Sequence, residues 1–148
     1  MLAVSTVLPR TATCRAPVVL IHGAANSARV WSLWQQMLVR RGWPAHALDL
    51  RGHGQGADAN LATTTMADYA ADVHTLIHEL ARPPILIGWS MGGLVALMVA
   101  AAENVVGCVG LAPSLPANQV DSSVVLRQGI FGPEEYDSIV SRDPERAS

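Results

Sequence analysis

Apolar residues fall along this chain in short continuous runs rather than in strict alternation. Pro17-Val18-Val19-Leu20-Ile21, Ala45-His46-Ala47-Leu48-Asp49-Leu50, Pro84-Ile85-Leu86-Ile87 and Val105-Val106-Gly107-Cys108-Val109-Gly110-Leu111 each read as a strand buried on both faces. Between them the period lengthens. Trp31, Trp34 and Leu38 recur at helical spacing up to Arg40-Arg41, where Gly42 supplies a stop, and the tryptophans read as packing residues rather than ligand-stacking ones. Thr65 is placed to cap a second helix, with Asp68 answering three positions later as in a capping box. Its apolar face is Tyr69, Val73, Leu76 and Leu80, and its outward positions are Asp68, Asp72, Thr75 and Glu79. Leu94 through Ala102 forms a third, almost wholly apolar helix-like segment. Strand and helix alternating in this way predict an α/β fold, a mostly parallel sheet covered by helices on both sides.

The loops that follow these strands carry the candidate chemistry. Gly88-Trp89-Ser90-Met91-Gly92-Gly93 lies between a strand and a helix, the setting of a nucleophile elbow. On so sharp a turn Ser90 is held in a strained backbone conformation that lifts its hydroxyl out of the sheet, and side chains at Gly88 and Gly92 would collide with neighbouring backbone. The turn also puts the Met91 N–H at a helix start, where backbone donors and the positive dipole end favour an oxyanion. His22-Gly23-Ala24-Ala25-Asn26 closes the first apolar run, and Arg51-Gly52-His53-Gly54 closes the second.

Taken in this order, the H-G-x loop, the D-L-R-G-H-G stretch and G-x-S-x-G-G resemble the α/β-hydrolase superfamily in its serine esterase-like branch, over about residues 16 to 115. His22-Gly23-Ala24 is similar to the loop of plant methylesterases and hydroxynitrile lyases. Gly88 through Ala96 is similar to bacterial carboxylesterases, including those acting on pimeloyl methyl esters. The resemblance implies Ser90 as nucleophile and the N–H groups of Ala24 and Met91 as oxyanion-hole donors, with His22, Gly23, Gly88 and Gly92 shaping the motifs. It implies a small-molecule ester-like substrate and no external cofactor. The family's order is serine, then acid, then histidine, yet the five histidines, His22, His46, His53, His74 and His78, all precede Ser90. Asp121 is the one acid placed just beyond the fourth strand, but its late position in a proline-rich loop disfavours it, so the triad acid and base are both expected to be missing from these 148 residues. The expectation is therefore an N-terminal part of a hydrolase core in residues 1–115, truncated before the last strands, with the start of a cap, lid or loop region in residues 116–148. The alternatives are a non-catalytic remnant that binds a small apolar ligand or a partner, and a lyase, perhydrolase or carbon–carbon hydrolase on the same elbow.

Composition narrows the partners. With 50% hydrophobic and 15% charged residues, the 148-residue chain suits a single domain with a doubly covered sheet. A net charge of −2 and ten thinly spread basic residues give no footprint for nucleic acid. No apolar run is long enough to span a membrane, and no basic region precedes the apolar residues at the N-terminus as in a signal peptide. The two cysteines, Cys14 and Cys108, occupy unlike settings, with Cys108 in an apolar run, which points to a reducing, cytoplasmic home. His74 and His78 stand at i and i+4 on the second helix, a spacing able to hold a metal, but neither an H-E-x-x-H pattern nor a third ligand accompanies them, so no metal is expected. A truncated sheet would expose an edge open to self-association.

Overall fold

The computed structural model describes residues 2–116. The expected strands form β2 (Val18–Ile21), β3 (Ala45–Asp49), β4 (Ile85–Trp89) and β5 (Gly107–Leu111), separated by α1 (Ser32–Arg40), α2 (Met66–Glu79) and α3 (Met91–Ala100). A strand that the hydropathy pattern does not announce, β1 (Ala3–Val7), precedes them. The sheet order is β1-β3-β2-β4-β5, parallel throughout except for β1, which runs antiparallel to β3. The chain therefore leaves β2 toward one side of the sheet and later returns to its other side. Ile21 pairs with Leu48 on one flank and Gly88 on the other, so the loops after β2 and β4 emerge together at the point where strand order reverses. In open α/β sheets that crevice at the carboxyl ends of the strands is where ligands bind.

Both faces of the sheet are covered, as continuous apolar strands require. Val19, Ile21, Leu48 and Leu86 pack under α2 and α3 with Tyr69, Val73, Leu76, Val95 and Val99. Val18, Leu20, Ala47 and Ile87 turn the other way, against Ala28 and Trp31. The capping box at the start of α2 is present: Asp68 N–H donates to the Thr65 hydroxyl, and Thr65 N–H donates to Asp68 Oδ2. Gly42 takes φ +83 where α1 ends, and its N–H donates to Val39 O at 2.9 Å.

Other expectations need correction. Trp31 belongs to a short 3-10 turn (Ala28–Trp31) ahead of α1, and the buried residue of α1 itself is Gln35. The inward positions are thus 31 and 35, one step removed from the spacing of the two tryptophans, and Trp34 lies exposed with its ring edge-on to Trp31 at 5.4 Å. Asp72 does not turn outward. It is buried because Arg51, arriving on the loop after β3, engages it with its backbone N–H at 2.9 Å and with its guanidinium at 2.7 Å. Cys108 is half-buried rather than fully enclosed, and burial raises its thiol pKa. Asp121 and most of the 116–148 region lie outside the described residues. Among the described residues no helix is long and apolar enough to cross a membrane.

Candidate active site

At the end of β4 the chain reverses into α3 within a single residue. Ser90 carries φ 53 and ψ −120, in the left-handed half of backbone space where a side chain is disfavoured. Strain of this kind costs on the order of 1–3 kcal/mol and persists only when the surroundings over-determine it. Here they do. Ser90 N–H donates to Leu111 O at 3.0 Å, and Ser90 O accepts from Gly93 N–H at 2.9 Å and Ser114 N–H at 3.0 Å. The end of β5 and the loop after it thus hold the serine from the side opposite β2.

Two close approaches explain the flanking glycines. A Cβ on Gly88 would fall inside the contact surface of the Gly92 carbonyl oxygen, and a Cβ on Gly92 inside those of the Ile21 and His22 carbonyl oxygens. The first turn of α3 can therefore press against the end of β2 only while it is bare there. The loop after β2 comes equally near, since a Cβ on Gly23 would stand 3.1 Å from Ser90 Cβ and 3.3 Å from Trp89 O. Gly23 and Ser90, 67 positions apart in sequence numbering, are thus neighbours in space.

Ala24 follows Gly23 in that loop. Its carbonyl accepts from the Asn26 side-chain amide at 3.0 Å, and Ala25 next to it takes φ 58. Among the described residues no hydrogen bond engages the N–H of Ala24 or of Met91, while Ser27 caps the turn that follows. Asp49, buried at the end of β3, ties this loop to the next by accepting from Ala28 N–H at 2.6 Å and Gln55 N–H at 2.9 Å.

His22 is fully buried, and its role follows from its partners. Leu50 N–H donates to Nε2 at 3.1 Å, so the ring proton sits on Nδ1 and is donated to Gly23 O at 2.7 Å. Burial lowers its pKa to about 4, against the opposing pull of the Gly23 hydrogen bond. The ring is a neutral strut between the ends of β2 and β3 with both nitrogens engaged. His53 is buried beside it, with ring centroids 5.2 Å apart, Nδ1 hydrogen-bonded to Arg51 O at 3.0 Å and its pKa also lowered by burial. The structure thus gathers Ser90, Met91, Gly88, Gly92, Gly23, Ala24 and His22 at one end of the sheet, as their strand ends require. The sequence pattern did not foretell the supporting parts played by Asp49 and the Arg51–Asp72 pair, which depend on partners distant in sequence.

The same arrangement places the chain among known proteins. It belongs to the alpha/beta hydrolase family, which it matches over residues 18–145. It is 38% identical over 99 residues to mouse protein phosphatase methylesterase 1, an alignment covering 64% of this chain and 26% of that protein. It is 39% identical over 84 residues to a pimeloyl-[acyl-carrier protein] methyl ester esterase of Neisseria meningitidis, covering 57% of this chain and 25% of that one. Among solved structures, a carboxylesterase study from the thaumarchaeon Nitrososphaera gargenis provides a match with TM-score 0.68 and 26% identity, covering 76% of this chain and 42% of that one. The chain spans about a quarter of the length of the methylesterase relatives it matches.

Proposed function

We propose that this chain carries the nucleophile and oxyanion hole of a serine hydrolase acting on small carboxylic esters. Ser90 Oγ attacks the ester carbonyl as its proton passes to a general base, and the oxygen that gains charge is met by the N–H groups of Ala24 and Met91. The same proton leaves with the alcohol as the C–O bond breaks, and water, deprotonated in its turn, releases the acid and returns the hydroxyl of Ser90. The carrying observation is the backbone of Ser90 at φ 53, braced by hydrogen bonds from β5 and by glycines that leave no room for side chains. A turn that served only to join strand to helix would gain nothing from such strain. The relatives named for methyl ester cleavage favour an ester of a small alcohol. The general base is not His22, whose ring nitrogens are both engaged, and the sequence offers no histidine after Ser90. Free Cys14 and Cys108 fit a cytoplasmic setting, and the outer edge of β5 is a surface for self-association.

The test is covalent labelling by a fluorophosphonate in the product of the whole reading frame, mapped by mass spectrometry. A single adduct on Ser90 that disappears in Ser90→Ala is expected. No adduct, an adduct elsewhere, or one that survives the substitution removes Ser90 from the mechanism.

A further inference from the structure

Far from the elbow, the fold supplies what the helical histidine pair lacks in sequence. His74 and His78 stand one turn apart on α2 with their rings stacked, centroids 6.4 Å apart and planes 14° from parallel. Glu103, on the turn between α3 and β5, reaches both of them. Its Oε1 lies 2.7 Å from His74 Nδ1 and 3.4 Å from His78 Nε2. The three ligand atoms all lie within 4.8 Å of one another. The main chain of Glu103 is held at the end of α3, where its N–H donates to Val99 O at 2.8 Å.

We propose that His74, His78 and Glu103 form a binding site for a divalent transition ion of the zinc class. A tetrahedral ion with bonds of about 2.0–2.1 Å holds its ligands about 3.3 Å apart, so side-chain rotations of less than about 1 Å bring this cluster into a ligand shell. Two imidazoles with one carboxylate suit zinc, nickel or copper and are a poor set for magnesium or calcium, which prefer oxygen alone. A hydrogen bond from His74 to Glu103 would suffice to pin α2 to the end of α3. It would not require His78 to converge on the same oxygen. His78 is 70% exposed at its side chain, which leaves water free to complete the coordination and makes the site open and exchangeable. The site sits past the C-terminal end of α3 and Ser90 at its N-terminal end, separated by about 15 Å of helix, so the ion braces α2 against the turn before β5 and takes no part at the serine.

The test is titration of zinc chloride into tag-free protein bearing Cys14→Ser, which removes the exposed thiol as a competing ligand, followed by calorimetry and thermal unfolding. One ion per chain is expected, with Tm rising as zinc is added and unmoved by magnesium or calcium chloride. His78→Ala is the variant least able to disturb folding, because its side chain is largely solvated. It should weaken binding by about tenfold or more, as should His74→Ala and Glu103→Gln, and each should lose the zinc-dependent rise in Tm. Absence of zinc binding overturns the proposal. So does binding that stays undiminished in His78→Ala and Glu103→Gln, since the ion would then be held elsewhere.

Discussion

Gly92 and Gly107 both lie in regular elements, and the structure gives them opposite tolerances. A methyl group on Gly92 has only carbonyl oxygens of the β2 end to move, whereas nothing lies within 4 Å of one on Gly107. Gly92→Ala should cost about 3 kcal/mol or abolish folding, and Gly107→Ala should change stability by less than about 1 kcal/mol, with urea midpoints as the measure. His22 carries a second expectation at this scale. Its folded pKa near 4 lies below the ordinary 6.5, so between those values the unfolded chain binds a proton that the folded chain does not. Stability is therefore unaffected by this residue above pH 6.5, declines as pH falls toward 4, and levels off below. A shift of that size amounts to about 3 kcal/mol, with burial of His53 and His46 adding in the same direction. Denaturation between pH 7 and 4 should show this slope, and His22→Asn should flatten it. An unchanged slope would mean that other groups control acid sensitivity.

The loop after β3 is anchored to α2 by Arg51 and Asp72. Asp72 accepts one backbone and three side-chain contacts from Arg51, and this partnership raises the Arg51 pKa further. Asp72→Ala leaves the Arg51 amide without its acceptor and its guanidinium with only the longer contact to Asp68 Oδ1 at 3.4 Å. It should cost about 2 kcal/mol, against less than about 0.5 kcal/mol for Thr75→Ala on the exposed side of the same helix. A cost at Asp72 no greater than at Thr75 would show that the pair is dispensable. This pair also marks what the sequence makes legible. The parallel strands and α2 could be read because their signals are local: apolar runs ended by glycine or proline, and a capping box four residues long. The elbow and the H-G-x loop could be read for the same reason. β1 escaped because it is a half-exposed edge strand held by its antiparallel ladder with β3, and Gln35, whose amide donates to Ser5 O at 2.8 Å and Ala45 O at 3.3 Å, adds a second tie that no local pattern announces. No hydropathy pattern marks a glutamine or an aspartate as buried when its partners come from elsewhere in the chain. Glu103 joins His74 across 29 positions, and only the packing of α2 on α3 brings them together.

Across the whole molecule the two sheet edges differ in character, and that difference decides where copies would meet. The β1 edge carries Ser5 and Thr6, and Thr6 is paired with His46 Nδ1 at 3.0 Å. Among the described residues β5 pairs only with β4, and the exposed apolar side chains nearby are Val106 and Val109 in and before the strand, Leu97 and Met98 on α3, and Leu115 after it. An edge of unpaired N–H and C=O groups set among apolar side chains is a template for another strand, and a lysine placed on it is among the devices by which edges are kept apart. The 148-residue chain should therefore associate as its concentration rises in sedimentation velocity. Val109→Lys should shift the distribution toward monomer, and Thr6→Lys on the opposite edge should leave it unchanged. A wild-type chain that stays monomeric throughout, or one that responds equally to both lysines, would mean that the β5 edge is not the surface through which copies of this chain meet.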